Sequence, residues 1–287
     1  MIRIRVHGVT LLLLLPALGC VHAPPEQPDD GTPAGGRLAV SDGWLAGIVR
    51  GTAPGAPVVL VHGLGGNYHF FDAQLAEVED HARVLAYDQR GCGQSSLAPR
   101  KKYDLETLVN DLAVILDVAR AEQAVLVGHA FGADVVSRYA GLHPERVVAL
   151  VLIDPPGDLR PRIATLAARL TSLGDAGFRS EVDSLIEELL VGAKPETRNA
   201  VLASVRATPR DVLQRMLSGM GSFEPASALA GYRGPVSCIV TDRTAATSEK
   251  PAGCRTVVRL HGVSHWPMLD QPDRVSEVIE GVLPRRP

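Results

Sequence analysis

Short apolar runs that end in turn residues alternate along this 287-residue chain with stretches of helical periodicity. An unbroken apolar run predicts a strand that is buried on both faces, as in a parallel sheet. The predicted strands lie within residues 57–63, 83–91, 124–129, 146–155, 235–242 and 255–262, and helices are predicted at about 70–80, 105–121 and 131–142. With a leading hairpin at 38–51, this alternation predicts an α/β fold with a mostly parallel, eight-stranded sheet and helices on both faces.

Residues 157–233 interrupt the alternation. They contain no strand pattern, and apolar residues recur there at helical spacing in four stretches, at 163–173, 182–191, 198–207 and 211–220. Helices inserted between two strands favour a cap over the carboxyl ends of the strands, where α/β sheets bind ligands. The alternative is that these helices simply cover the sheet.

The sequence "GHAFGA" (128–133) follows a predicted strand and begins a predicted helix. Three other stretches accompany it in order: "HGLGGN" (62–67), "DQRGCGQS" (88–95) and "GVSHWPMLDQP" (262–272). Together they resemble the α/β-hydrolase fold, in its lid-bearing branch of esterases, epoxide hydrolases and proline-iminopeptidase-like enzymes. The resemblance extends from about residue 37 to residue 283.

The resemblance implies a site with one departure. His265 is expected as the base, and the backbone amides of Leu64 and Phe131 as the oxyanion hole. Ala130 occupies the position where serine is expected, so the usual covalent route lacks its nucleophile. Cys92 is a weak substitute, because the sequence places no base beside it.

The acid of the family is also displaced. Thr244 occupies the usual acid position, which leaves two alternatives, Asp242 two residues earlier and Asp154 after the strand at 146–155. The segment 243–253 shows no clear helical pattern, although the family normally has a helix there.

The first twenty residues have the features of an export signal. Arg3 and Arg5 precede an apolar run at 9–15 that is too short to span a bilayer. The run ends in "ALGC", which resembles the lipobox of bacterial lipoproteins and predicts lipidation at Cys20. The alternative is ordinary secretion of a soluble protein, into the periplasm or beyond. Residues 21–36 are rich in Pro, Gly and Asp and predict a flexible linker, so the folded domain is expected at 37–287.

Composition excludes several other classes. The formal net charge is −3 and the basic residues are scattered, so no nucleic-acid surface is predicted. No CxxC motif is present, and no metal or organic cofactor is expected, although His62, His129 and His265 could converge. Cys238 and Cys254 either pair or remain free thiols in an exported protein.

Two functions remain after these exclusions. The chain is either a hydrolase of a small ester or amide-type substrate that works without serine, or an inactive pseudoenzyme that binds a ligand or partner at the membrane.

Overall fold

The apolar runs form the strands of one sheet in the computed structural model, which describes residues 35–247, 251 and 253–284. The strands are β1 Gly35–Val40, β2 Gly43–Arg50, β3 Val58–Val61, β4 Val84–Tyr87, β5 Ala124–His129, β6 Val147–Ile153, β7 Val236–Thr241 and β8 Thr256–Leu260. Their order is β1-β2-β4-β3-β5-β6-β7-β8, with β2 antiparallel to both neighbours and the other pairs parallel. The predicted fold class is confirmed.

Helices connect the strands. They are α1 Asp72–Val78, α2 Leu105–Val118, α3 Phe131–Leu142, α4 Arg160–Ser172, α5 Asp175–Leu189, α6 Pro195–Ala207, α7 Arg210–Met220, α8 Pro225–Ala228, α9 Asp242–Thr247, α10 Pro267–Asp270 and α11 Pro272–Glu280. Every residue of β3, β4 and β5 is buried. Both faces of the central sheet are therefore covered, as the unbroken apolar runs predict.

Two boundaries differ from the sequence-based expectation. Gly35 and Gly36 pair with Ile48 and Gly47 in the hairpin, so the folded domain begins before residue 37 and the predicted linker ends too late. Helix α9 lies mostly within 243–253, where the sequence shows no clear helical pattern, since its six residues are too few to show periodicity. The rest of the predicted linker, the predicted signal and Cys20 lie outside the described residues.

The stretch between β6 and β7 is helical, as predicted, and holds α4 to α8. Helix α4 packs against α5 and α7, and α5 packs against α6. Within the described residues, no helix is both long and apolar enough to cross a membrane.

The cysteine alternatives are resolved by a disulfide. Cys238 in β7 bonds to Cys254, which lies just before β8, with 5.8 Å between their Cα atoms. Cys92 is a buried free thiol. The disulfide therefore links the interior of β7 to the segment just before β8.

Candidate active site

The turn from β5 to α3 places Ala130 in a strained conformation. Its φ is 47° and its ψ is −116°, a region that costs a non-glycine residue about 1–3 kcal/mol. A Cβ on Gly128 would collide with the backbone of Gly132, and a Cβ on Gly132 would collide with the carbonyl of Val61. Only glycine at both positions permits the sharp turn.

The backbone holds this turn without help from the Ala130 side chain. The Ala130 N–H donates to the Ile153 carbonyl at 3.0 Å, and the Ala130 carbonyl accepts from Ala133 at 2.8 Å. The turn therefore keeps the shape that presents a nucleophile, although the methyl group cannot attack a carbonyl carbon.

His265 follows β8 and pairs with Asp154, which follows β6. The His265 Nδ1 lies 2.5 Å from the Asp154 Oδ2, and the histidine side chain is 13% exposed while the carboxylate is fully buried. The proton therefore lies on Nδ1, which donates a hydrogen bond to the carboxylate, and Nε2 keeps its lone pair. This is the arrangement of a general base and its orienting acid.

Three further hydrogen bonds stabilise the Asp154 carboxylate. The Thr241 N–H donates at 3.0 Å, the Thr241 hydroxyl at 3.2 Å and the Thr244 hydroxyl at 2.5 Å. Burial raises the pKa of Asp154, but the hydrogen bond from His265 and those from the two threonines outweigh it, so the pKa lies below its usual value. Thr244, at the usual acid position, thus supports an acid that comes from another strand.

The other proposed acid is engaged elsewhere. The Asp242 carboxylate accepts from His261 Nδ1 at 2.5 Å and from the Gly262 N–H at 3.0 Å. These two bonds lower the pKa of Asp242, whose side chain is exposed. The structure therefore places Asp154, and not Asp242, in contact with His265.

The backbone of His265 is fixed at both of its polar groups. Its N–H donates to the Leu189 carbonyl at the end of α5, 3.1 Å away, and its carbonyl accepts from His129 Nε2 at 2.7 Å. Buried Asp270 shapes the same loop by accepting from the Ser264 N–H at 2.8 Å. An inserted helix thus contributes directly to the position of His265.

His129 and His62 are buried and neutral. Burial, and secondly the neighbouring His265, lowers the pKa of His129 to about 3. Its Nδ1 has no hydrogen-bond partner among the described residues. Burial also lowers the pKa of His62, whose Nδ1 donates to the Gly63 carbonyl and whose Nε2 accepts from the Gln89 N–H. The predicted convergence of three histidines is real for His129 and His265, whose ring centres lie 4.9 Å apart, while His62 anchors the neighbouring turn.

Both predicted oxyanion donors lie at the site. Phe131 is the first residue of α3, so its N–H has no acceptor within the helix. Leu64 belongs to the glycine-rich turn after β3, and both residues line the cavity that contains Ala130. Two amides beside a helix N-terminus can stabilise a developing negative charge.

A cavity of about 250 Å³ joins these groups. Its polar lining comes from His265, Asp154 and a few neighbours, and the remainder is mostly aliphatic. The lining residues are Leu64, His129, Ala130, Phe131, Asp154, Pro156, Leu159, Arg162, Ile163, Leu166, Leu185, Ile186, Leu189, Leu217, Met220, Arg243, Thr244, His265 and Trp266. Helices α4, α5 and α7 therefore wall the cavity that holds Ala130 and His265.

Cys92 does not belong to this cavity. It is fully buried, and burial raises the pKa of its thiol to about 12. A thiol with that pKa is protonated at neutral pH, which agrees with its being a weak candidate nucleophile.

Sequence reasoning missed three contacts: the bond from His129 to the His265 carbonyl, the bond from His265 to Leu189, and the threonine donors to Asp154. The order of the motifs carries no signal for the first two, because both involve backbone atoms far apart in sequence. The threonines could have been recognised only after β6 and β7 had been aligned.

Comparison with known proteins agrees with this geometry. The profile of the family described as "alpha/beta hydrolase fold" matches residues 56–215, more than half of the chain. "Putative carbamate hydrolase RutD" of Variovorax paradoxus (strain S110) is 38% identical over 138 residues, 47% of this chain and 52% of that protein. "Epoxide hydrolase A" of Mycobacterium tuberculosis (strain ATCC 25618 / H37Rv) is 33% identical over 187 residues, 64% of this chain and 54% of that protein. The chain thus spans about half the length of these curated relatives.

Solved structures match over most of the chain. A hydrolase from Pseudomonas aeruginosa PA01 has a TM-score of 0.71 at 25% identity, and covers 88% of this chain and 98% of its own. A bromoperoxidase from Bacillus anthracis has a TM-score of 0.72 at 18% identity, covering 87% and 99%, and at that identity the likeness shows the fold alone.

The pair of Asp154 and His265 predicts a dependence of stability on pH. Because the pKa of Asp154 is lowered on folding, its contribution is complete above the usual value of 3.8 and is lost as the pH falls through the lower, folded-state value. We expect the free energy of unfolding of the wild type to fall below about pH 4 more steeply than that of Asp154→Asn, measured by urea unfolding from pH 2.5 to 7.

Asp242→Asn is the matched control, because it removes an exposed carboxylate that also contacts a histidine. Solvent screens that pair, so its profile should stay close to that of the wild type. Identical acid profiles for Asp154→Asn and the wild type would contradict the assignment.

Proposed function

The chain belongs to the α/β-hydrolase fold family, and we propose that it is a hydrolase in which His265 activates water directly against a small ester or carbamate. The observation that carries this proposal is the hydrogen bond between His265 and buried Asp154 in the cavity that also contains Ala130. The carbamate is suggested by the printed name of one relative.

The proposed reaction has two proton transfers. His265 Nε2 removes a proton from a water molecule as the water oxygen bonds to the substrate carbonyl carbon. Asp154 stabilises the imidazolium that forms, and the amides of Leu64 and Phe131 donate to the oxyanion. When the tetrahedral intermediate collapses, the bond to the leaving group breaks and His265 returns the proton to that group.

The Ala130 methyl sets the limit of this chemistry. General-base catalysis supplies about 10²–10⁴-fold, whereas loss of the serine from a serine protease costs about 10⁶-fold in turnover. The wild type should therefore be slow on ordinary esters and act best on substrates with a good leaving group.

The same methyl group favours the second candidate, a binding protein without turnover. In that case the cavity would hold a small ligand, and His265 with Asp154 would serve only as polar groups of the binding site. The experiments below separate the two functions.

We expect the wild type to hydrolyse 4-nitrophenyl acetate and 4-nitrophenyl carbamate slowly, with about 10²–10⁴-fold lower kcat/KM in His265→Ala. His261→Ala is the control, since His261 is an exposed histidine that also pairs with an aspartate, and it should retain wild-type turnover. Equal rates in the wild type and a folded His265→Ala would favour the binding protein.

Ala130→Ser should create a nucleophile. The turn accepts the substitution because the backbone already has the required conformation and the new hydroxyl is within the cavity of His265. A fluorophosphonate probe should label Ala130→Ser covalently, and should label neither the wild type nor Ala130→Ser/His265→Ala. The single variant should also gain ester hydrolysis with a burst of product.

If Ala130→Ser folds normally and remains unlabelled, then the site lacks more than the serine hydroxyl, which favours the binding protein.

For localisation, we propose that the protein is an exported lipoprotein attached through Cys20. The signal-like start and the "ALGC" sequence support this, and the disulfide of Cys238 and Cys254 is typical of an oxidising compartment. Metabolic labelling with a radioactive fatty acid should mark the wild type and not Cys20→Ser. Equal labelling of both would reject the anchor and leave the secreted soluble form.

A further inference from the structure

The cavity carries two positive charges that the proposed chemistry does not use. Arg162 in α4 and Arg243 in α9 both line it, and both are exposed to solvent. They come from different elements, one inserted between β6 and β7 and the other following β7. Among the described residues that line the cavity, Asp154 is the only acidic one.

Arg162 differs from the other arginines of its own helix. Arg160 donates to Asp158, and Arg169 donates to Glu181. The Arg162 guanidinium has no hydrogen bond or ion pair with any side chain among the described residues. A cation that lines an apolar cavity without a carboxylate partner favours an anionic ligand.

Arg243 is only weakly engaged. One of its guanidinium nitrogens lies 3.4 Å from the Glu188 carbonyl, at the long end of a hydrogen bond. The acidic side chain next to it in sequence, Asp242, accepts from His261 and Gly262. Most of the five donors of Arg243 therefore have no acceptor among the described residues.

Asp154 offsets at most one of these two positive charges, and it makes no ion pair with either arginine. Its carboxylate accepts from His265 and from Thr241 and Thr244, so its lone pairs are already used. The remaining lining is mostly aliphatic, and charges attract more strongly beside such a low-dielectric wall than in water. The electrostatic field within the cavity thus favours a ligand that carries one negative charge.

We propose that the cavity binds a small molecule that carries a carboxylate, held by Arg162 and Arg243, at one end and a hydrolysable ester at the other. This deepens the proposed function and rests on it for the ester end alone. A carboxylate fits better than a phosphate dianion, because aliphatic walls penalise the desolvation of a second charge. The substrate class is then a monoester of a short dicarboxylic acid, which water converts to the dicarboxylate and an alcohol.

The binding end can be tested without turnover. Monomethyl glutarate, adipate and pimelate are compared with their dimethyl esters by calorimetry on the wild type, since methyl esters are poorly activated and hydrolyse slowly. We expect at least one monoester to bind about tenfold more tightly than its diester, which corresponds to roughly 1.4 kcal/mol. This preference should shrink at high salt.

Arg162→Gln and Arg243→Gln should each reduce the preference, and the double variant should remove it. Arg215→Gln is the matched control: Arg215 is an exposed arginine of α7, outside the cavity lining, and its loss removes the same charge. A preference that is absent in the wild type, persists in the double variant or is lost equally in Arg215→Gln would overturn the proposal.

Hydrolysis at the ester end of the substrate is tested in a separate experiment. In Ala130→Ser, kcat/KM for 4-nitrophenyl hemiglutarate should exceed that for 4-nitrophenyl valerate, and the double arginine variant should equalise them by raising KM. A binding preference for monoesters in a wild type that shows no His265-dependent turnover would support the carboxylate site and reject the hydrolase.

Discussion

A carboxylate buried without solvent is the constraint on which the site depends. Asp154 is fully buried, and an isolated charge there would cost far more than a folded domain can tolerate. Its donors come from His265 after β8, from Thr241 in β7 and from Thr244 in α9. The hydrogen bonds that one buried carboxylate requires thus bring together the carboxyl ends of β6, β7 and β8. Ligands bind at this edge of parallel sheets.

The nucleophile turn depends on a different constraint, the geometry of the backbone. Asp154 has a φ of 43° and Ala130 a φ of 47°, so two non-glycine residues at the site adopt left-handed conformations. Strain of this kind persists only where the surrounding structure determines it, here by the close approach of Gly132 to Val61. Because no hydroxyl takes part in this packing, a chain can lose its serine and keep the turn.

The sequence predicted the sheet, the helix α3 and the position of His265, because each is encoded locally. Unbroken apolar runs specify buried strands, and glycines at fixed spacing specify the turn at Ala130. It could not choose between Asp154 and Asp242. That choice depends on the parallel register of β6 and β7, in which Ile153 lies beside Ile239, and on α9, which brings Thr244 back to Asp154. The register of two strands and the direction of a side chain in a short helix both depend on distant parts of the chain, so no single sequence motif predicts them.

In the proposed hydrolase, which lacks a covalent nucleophile, most of the rate would have to come from the positioning of the substrate. Water is a weak nucleophile, and a general base alone contributes about 10²–10⁴-fold. Holding the substrate so that its carbonyl faces His265 and the oxyanion amides removes part of the entropic barrier, and remote binding groups can supply the free energy for that alignment. Arg162 and Arg243 would be such groups, because they line the cavity but take no part in the proposed bond-breaking step. The hydrogen bond from the His265 N–H to the Leu189 carbonyl ties His265 to α5, which also lines the cavity, so the position of His265 and that of the cavity wall are coupled.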